Sequence, residues 1–123
     1  MIQISEAESL VMDVLWQTSP LAAEEVVAAL SERQAWQEAT VKTLLNRLLN
    51  KQAIAAEKDG RRFLYRPLLQ RDDYLQQQSS SLVDRLFEGR LAPLVSHFSA
   101  KRTLGADDIA ELKQLIQDIE HGQ

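Results

Sequence analysis

The spacing of apolar residues changes within one segment, residues 38–67, whose sequence is EATVKTLLNRLLNKQAIAAEKDGRRFLYRP. Apolar residues first recur every three or four positions, which predicts a helix over residues 38–51. The pattern then alternates along residues 54–58 and 61–66, and Asp59-Gly60 stands between these two runs. This arrangement is typical of a β-hairpin with a two-residue type I′ turn. A helix is therefore predicted to run directly into a short basic hairpin.

The predicted helix over residues 38–51 has one apolar and one polar face. Its apolar stripe consists of Val41, Leu44, Leu45, Leu48 and Leu49. The polar face is predicted to carry no acid, whereas solvated helix faces usually mix both signs of charge. A helix of this kind fits the major groove of DNA, where its outward side chains reach base edges and phosphates. The polar face consists of Thr40, Lys42, Thr43, Asn46, Arg47 and Asn50.

Two further helices are predicted before this segment. Ser5-Glu6-Ala7-Glu8 has the spacing of a capping box, and helical apolar spacing follows it until Thr18-Ser19-Pro20. A second helix is predicted over residues 22–32. Three helices followed by a hairpin are the element order of a winged helix-turn-helix. We therefore expect a mainly α fold with a small β-hairpin wing, in which residues 1–70 form a DNA-binding domain.

The distribution of charge supports this expectation, although the total charge does not. The 123 residues include 14 Lys and Arg against 18 Asp and Glu, and a net charge of −4 taken alone argues against a nucleic-acid partner. Residues 1–38 hold one basic and seven acidic residues, but residues 39–75 hold eight basic and four acidic ones. A partner responds to the local field, which salt screens over roughly 8–10 Å. The basic block coincides with the predicted helix and hairpin and indicates double-stranded DNA as the partner.

Nine residues of this region are candidate DNA contacts. Arg47 and Lys42 have the reach for guanine edges or phosphates, and Asn46 can pair with adenine. Gln37 and Thr40 lie near the helix start, where backbone amides favour phosphate. The hairpin cations would lie along an adjacent backbone or minor groove. The full set is Gln37, Thr40, Lys42, Thr43, Asn46, Arg47, Lys58, Arg61 and Arg62.

The chain beyond Leu68 is predicted to be helical in three pieces, the last starting at Gly105. Residues 76–81 interrupt the first apolar stripe and are either an exposed stretch of helix or a hinge. About fifty residues in three pieces are too few to bury such stripes alone, so they pack on a second copy or fold back on the amino-terminal domain. We favour the second copy and predict that residues 71–123 are a helical dimerisation region. Its contacts would be Leu82, Leu86, Phe87, Leu94, Val95, Phe98, Ile109, Leu112 and Ile116.

The aromatic residues of the first 70 positions are predicted to be structural. Trp36 is expected to plug the core before the third helix, and Trp16 to pack against the hairpin. Phe63 and Tyr65 alternate with arginines, as in a surface that stacks single-stranded bases. On a two-stranded hairpin, however, such residues are more often core contacts. We therefore expect both to be buried.

Several other classes of function are disfavoured by what the sequence lacks. It contains no cysteine, so disulfides and thiolate metal sites are excluded, and it contains no His-Glu-x-x-His, phosphate-binding glycine loop or glycine-flanked nucleophilic serine. We expect neither enzymatic activity nor a cofactor, and no metal site at the lone His97. No apolar run of about 18 residues and no signal peptide is found, so a cytoplasmic protein without membrane insertion is expected.

Four motifs in order carry a resemblance that covers nearly the whole chain. They are ISEAE at residues 4–8, TVKTLLNRL at residues 40–48, KDGRRF at residues 58–63 and DDIAELK at residues 107–113. The sequence thereby resembles the penicillinase-repressor (BlaI/MecI/CopY) family of winged-helix transcriptional regulators. The resemblance implies a bacterial homodimeric repressor that binds palindromic operators with TACA/TGTA-like half-sites. By position it assigns Thr40, Lys42, Thr43 and Arg47 to the recognition helix, and Arg61 and Arg62 to the wing.

The resemblance also implies routes of induction. In antibiotic-responsive relatives a partner protease, a membrane sensor, cuts an Asn-Phe bond, and the corresponding pair here is His97-Phe98. Copper-responsive relatives bind metal through a carboxy-terminal cysteine cluster, which this chain lacks. Three positions depart from the family pattern. Gln37 stands where Ser or Thr is usual, Ala39 where Lys is common, and Gln52 where a glycine usually ends the recognition helix.

Two alternative functions stay open on the sequence. The acidic first 38 residues would suit a winged helix that binds another protein, and such a module would show no salt-sensitive DNA binding. His97, Met12 or a cavity between helices would suit a regulator that senses a metal or small ligand. Thermal stabilisation by copper, zinc or a β-lactam would identify that regulator.

Overall fold

The computed structural model describes residues 2–101 and 103–122 of the chain. Within these ranges the structure is mainly helical with one small antiparallel sheet, which confirms the predicted fold class. The chain divides into two compact units, Met1–Leu75 and Gln76–Gln123. The elements in order are α1 (Glu6–Gln17), β1 (Leu21–Ala22), α2 (Ala23–Leu30), α3 (Glu38–Asn50), β2 (Ile54–Asp59), β3 (Arg62–Pro67), α4 (Arg71–Phe87), α5 (Leu91–Ala100) and α6 (Ala106–Glu120).

The first helix begins at the predicted capping box. The Ser5 hydroxyl oxygen accepts a hydrogen bond from the backbone N–H of Glu8 at 3.1 Å, and the Ser5 N–H donates to Glu8 Oε1 at 2.7 Å. These two bonds satisfy amides that the helix itself cannot pair. Helix α2 has half of this arrangement, because the N–H of Ala22 donates to Glu25 Oε1 at 2.8 Å.

The core of the first unit forms where α1, α2 and α3 meet the start of β2. The apolar stripe of α3 is buried as predicted except for Leu49, which is half-buried, and Trp16 and Trp36 pack against the core from its edge. Two partners of Trp16 lie beyond the hairpin: its indole Nε1 donates to the carbonyl of Leu69 at 2.8 Å, and its ring lies 5.5 Å from that of Tyr74. The largest fully buried apolar side chains are Met12, Leu15, Leu30, Leu45, Leu48, Ile54, Val11, Val26 and Val41.

The sheet contains a third strand that the sequence did not predict. Strand β1 pairs antiparallel with β3, with Leu21 opposite Tyr65 and Ala22 opposite Leu64, so the strand order is β1-β3-β2. Two residues are too few to produce a periodic signal. The pairing makes β3 the central strand and attaches the hairpin to the start of α2.

The loop of the hairpin lies one residue further along than predicted. Asp59 pairs with Arg62, which leaves Gly60 and Arg61 as the loop. Gly60 has a φ of 65°, but the non-glycine residues with positive φ in the described ranges are Gln52 and Glu88. The loop is therefore not the predicted type I′ turn, which needs positive φ at both positions.

Helix α3 ends in a Schellman motif whose left-handed residue is not glycine. Gln52 has a φ of 63°. The N–H of Ala53 donates to the carbonyl of Leu48 at 3.0 Å, and the N–H of Gln52 donates to that of Leu49 at 3.0 Å. This pairing needs the left-handed backbone that glycine adopts without a steric penalty. The departure noted at this position therefore places a strained residue at the end of α3.

The second unit contains the end of α4, then α5 and α6. Residues 76–81 are helical and mostly exposed, as one of the two predicted alternatives has it, and they belong to α4. Pro93 lies in the first turn of α5, where its missing N–H costs no helical hydrogen bond. Gly105 caps α6 as predicted. No helix within the described ranges is both long and apolar enough to cross a lipid bilayer.

Candidate nucleic-acid interface

The outward face of α3 presents the predicted polar residues. Thr40, Lys42, Thr43, Asn46 and Arg47 are all exposed, while the opposite stripe is buried in the core. Gln37 is the N-cap of α3 and is exposed. The Thr43 hydroxyl donates to the carbonyl of Ala39 at 3.0 Å, so its proton is already used within the helix.

This face is not free of acid, contrary to the prediction. Glu38 is the first residue of α3, and its Oε1 lies 3.5 Å from Lys42 Nζ. Residues four apart on a helix are neighbours, so the acid at the start of α3 reaches the lysine one turn later. The amino-terminal part of the face therefore carries a paired charge.

Of the three candidate cations on the wing, one forms salt bridges and two form none with the described residues. Lys58, Arg61 and Arg62 are exposed on β2, the loop and β3. The Arg62 guanidinium lies 3.5 Å from Glu24 Oε1 through Nη1 and 3.7 Å from Asp59 Oδ2 through Nε. Among the five cations of the nine candidate contacts, those without a salt bridge to any part of the chain that the structure describes are Arg47, Lys58 and Arg61.

Lys51 contributes to the basic block but is occupied inside the fold. Its Nζ lies 2.6 Å from Oε1 of Glu8, a side chain that is only 1% exposed. Burial, the largest influence, raises the pKa of Glu8, but the hydrogen bonds from Lys51 and Ser5 together with the Lys51 charge bring the pKa below its ordinary value. The pair joins the start of α1 to the end of α3. Lys51 therefore fixes the position of α3, and the field available to DNA is weaker than the residue count suggests.

The sequence contained a signal for this pair that the prediction missed. Glu8 stands three and four residues before Val11 and Met12, so it lies on the buried stripe of α1. A carboxylate at such a position needs a partner, because an unpaired buried charge is costly. The identity of that partner, 43 residues away, depends on the tertiary fold.

Phe63 is exposed, and its predicted burial is wrong. Its side chain is 50% exposed, whereas Tyr65 is half-buried against the core. Strand β1 ends opposite Leu64, so Phe63 lies beyond the part of β3 that β1 covers, and β2 alone pairs with it, through Lys58. The residue lines a cleft of about 270 Å³ between the wing and the first turns of α2 and α3. The cleft is lined by Ala23, Glu24, Glu38, Lys42, Arg61, Arg62, Phe63 and Tyr65.

Comparison with known proteins identifies the family. The family model described as penicillinase repressor matches residues 4–118. The chain belongs to the penicillinase repressor family. It is similar to the penicillinase repressor of Bacillus licheniformis, with 36% identity over 116 residues, which are 94% of this chain and 91% of the relative. As a member of this family, the chain is a transcriptional repressor with a winged-helix DNA-binding domain. The comparison confirms the family resemblance of the sequence.

Two solved structures extend this comparison. One is the monomeric form of Bacillus licheniformis BlaI in complex with the blaP half-operator, with 41% identity and a TM-score of 0.52 over 60% of this chain and 92% of that one. The other is the oxidised form of MarR from E. coli, with 19% identity and a TM-score of 0.54 over 95% of this chain and 76% of that one. The likeness to MarR is one of fold alone.

The second unit of the repressor exposes most of the apolar residues predicted to form a dimer. Phe87, Leu94 and Leu112 are half-buried. Leu91, Leu115 and Ile119 are exposed as well and were not among the predicted contacts. The exposed members of the predicted set are Leu82, Leu86, Val95, Phe98, Ile109 and Ile116.

The repressor holds His97-Phe98 inside α5. The carbonyl of His97 accepts from the N–H of Lys101 at 3.3 Å, and that of Phe98 accepts from the N–H and hydroxyl of Thr103 at 3.1 and 3.0 Å. The His97 ring lies 6.5 Å from that of Phe87 and 5.8 Å from that of Phe98. Met12 is fully buried in the core of the other unit, and no group of three or more His, Asp or Glu within the described residues is arranged to hold a metal.

Proposed function

We propose that this repressor is a homodimer that binds a palindromic operator with TACA/TGTA-like half-sites. Residues 1–70 bind DNA and residues 71–123 join the two copies. Helix α3 enters the major groove, and the wing follows the adjacent backbone or minor groove. The observation that carries the proposal is the exposed polar face of α3, ending in the unpaired Arg47, opposite a stripe that is buried in the core. The complex of Bacillus licheniformis BlaI with a half-operator supports this mode of docking.

Affinity comes mainly from cations at phosphates, and base preference comes from α3. Neutralising phosphates releases counterions, so binding weakens steeply as salt rises. Arg47, Asn46 and the Thr43 methyl can reach base edges, whereas Arg61 and Lys58 on the wing contact the backbone. Repression follows because the bound dimer covers promoter DNA.

The dimer is supported by the apolar surface of the second unit. Leu86 is 62% exposed, Phe98 44% and Ile116 55%. Large apolar side chains are exposed on all three helices of this unit, and a second copy that covers them would remove this area from water. A two-fold dimer places its recognition helices about 34–36 Å apart, one turn of DNA, which requires an inverted repeat.

Release follows when the two copies separate, and we propose that a membrane sensor protease can cause it by cutting His97-Phe98. The bond lies in the last turns of α5. The carbonyl of His97 accepts a hydrogen bond from the N–H of Lys101, and that of Phe98 accepts one from the N–H of Thr103. A protease binds extended chain, so this turn must unwind before cleavage. Mass spectrometry of the repressor from induced cells should find a fragment that ends at His97. Intact repressor in cells that are fully derepressed would contradict this route.

A role in binding another protein is less well supported. Its motivation was the acidity of the first 38 residues, but four of their seven acids already bind groups of this chain. These acids are Glu8 with Lys51, Glu24 with Arg62, Glu25 with the N–H of Ala22, and Glu38 with Lys42.

Selection of bound sequences from random double-stranded DNA tests the proposal. We expect the selected pool to contain two TACA/TGTA-like half-sites related by two-fold symmetry. A pool with one unrepeated motif would contradict the dimeric docking, and the absence of salt-sensitive binding to any duplex would contradict the DNA-binding function.

A further inference from the structure

Two acids form salt bridges with Lys42 and Arg62, which are among the nine candidate DNA contacts. We call Glu24 and Glu38 the clamp acids. Glu38 lies 3.5 Å from Lys42 on α3, and Glu24 lies 3.5 Å from Arg62 on the wing. Both acids stand in the first turn of a helix, Glu24 in α2 and Glu38 in α3.

The clamp acids and their cations line one cleft. The cleft of about 270 Å³ brings together the first turns of α2 and α3 with the wing, and it also contains Arg61. Three cations therefore lie beside two carboxylates in the cleft between α3 and the wing, the two elements that the proposed function places on DNA. The side chains in the two pairs are between 50% and 60% exposed, so water and DNA can reach them.

A carboxylate at this position opposes DNA binding in two ways. It neutralises a cation in the free protein, so that the cation must leave the acid before it meets a phosphate. The carboxylate then stays near the phosphate and repels it. Exposed pairs of this kind are weak, and their measured energies correspond to roughly 1.5- to five-fold in an equilibrium constant.

We propose that Glu24 and Glu38 are positioning residues that compete with DNA phosphate for Arg62 and Lys42 and so hold down the affinity of the repressor for DNA. The inference rests on the proposed function and extends it, because the clamp acids set how much of the basic surface is available. Non-specific DNA offers phosphates in large excess over operator, so a limit on phosphate-driven binding leaves more repressor free to find its site.

The test compares Glu38→Gln and Glu24→Gln with the parent in gel-shift titrations of the full chain at several salt concentrations. On a random-sequence duplex at low salt we expect Glu38→Gln to tighten binding by about two- to five-fold. Glu24→Gln should tighten it less, because Asp59 still holds Arg62. Both gains should shrink as salt rises, since salt screens exposed charges.

Glu57→Gln is the matched control. Like Glu38→Gln, it removes one negative charge, but from the wing. It frees Arg66, which lies 3.7 Å from Glu57 and is not among the nine candidate contacts. If the gain reflects net charge alone, Glu57→Gln will tighten binding as much as Glu38→Gln does, and the proposal is wrong. A gain confined to the clamp acids supports it.

A double-mutant cycle tests whether Glu38 acts through Lys42. In a Lys42→Met background, Glu38→Gln should no longer tighten binding by the full factor, because the cation for which it competes is absent. An undiminished gain in that background would overturn the proposal, as would parent-like or weaker binding by Glu38→Gln alone. These results would leave the proposed function intact if the parent binds duplex DNA. A parent without salt-sensitive binding would overturn both.

Discussion

Lys51→Met should destabilise the fold strongly although Lys51 is a partly exposed residue. Methionine keeps most of the side-chain volume and removes the ammonium group that lies 2.6 Å from Glu8 Oε1. Glu8 would remain buried at 1% exposure with the Ser5 N–H as its one strong donor, and its Oε2 already has no hydrogen-bond partner in the described structure. The variant therefore leaves a buried carboxylate nearly uncompensated.

The magnitude lies between two limits. Breaking a fully buried ion pair typically costs about 3–5 kcal/mol, and losing one hydrogen bond to a charged group costs about 1.5–3 kcal/mol. The Lys51 side chain is 38% exposed, so water can partly replace its ammonium group. We expect a loss of about 2 kcal/mol at pH 7 in urea unfolding, which is roughly 8 °C in Tm for a chain of this size.

The pH dependence of the stability loss shows whether it comes from the charge of Glu8. The pKa of Glu8 is lowered in the folded state, so its contribution to stability is present above the unfolded value of about 4.3 and is lost as pH falls through the folded pKa. In Lys51→Met the folded pKa of Glu8 is higher than in the parent, because burial still raises it and Lys51 no longer lowers it. The difference in stability between parent and variant should therefore be largest near neutral pH and shrink as pH falls from the higher folded pKa of the variant to the lower one of the parent. Adding Glu8→Gln to Lys51→Met should recover part of the loss, because the buried charge is removed.

Lys58→Met is the control, since Lys58 is exposed and has no salt bridge to the described residues. It should change stability by less than about 0.5 kcal/mol. If Lys51→Met were as stable as the parent at neutral pH, the Glu8–Lys51 pair would contribute nothing to the stability of the fold, contrary to this prediction.

Three further predictions concern the end of α3, the DNA contacts and the dimer. Gln52→Gly should raise the free energy of unfolding by about 0.5–1 kcal/mol, because Gln52 is in the left-handed region, and a less stable variant in urea would contradict this. Arg47→Ala should cost about 1–3 kcal/mol in operator binding and relax the preference at one base, while Arg61→Ala should weaken all sequences alike. Parent-like gel shifts for both would contradict the docking. Leu86→Asp should convert a sedimenting dimer into a monomer at micromolar concentration without unfolding α1–α3, and a parent that sediments as a compact monomer would contradict the dimer.

Local signals explain which parts of the fold the sequence predicted. The capping box at Ser5 and Glu8, the apolar stripe of α3 and the hairpin each depend on residues that are close in the chain. Their helices and strands appear within a few residues of the predicted bounds. The exposed face of α3 follows directly from the burial of the opposite stripe.

Tertiary contacts explain what the sequence did not predict. Strand β1 is too short for a periodic pattern, and no tertiary contact that the sequence could reveal decides the exposure of Phe63, which lies on β3 beyond the last residue that β1 pairs with. The ion pairs of Lys51 with Glu8 and of Arg62 with Glu24 join residues 43 and 38 positions apart. Counting charges over residues 39–75 therefore overestimated the free positive charge. Such a count includes Lys51 and Arg62 but not the distant acids that neutralise them.

Hydroxyl-radical footprinting of the full chain on a selected operator shows whether two copies of the repressor bind in successive major grooves. We predict two protected patches related by two-fold symmetry with centres about 10 base pairs apart, as two recognition helices in successive major grooves require. Arg47→Ala should weaken both patches together. A single protected patch at saturation, or protection with no fixed position on the duplex, would contradict a dimeric repressor that reads its operator through α3.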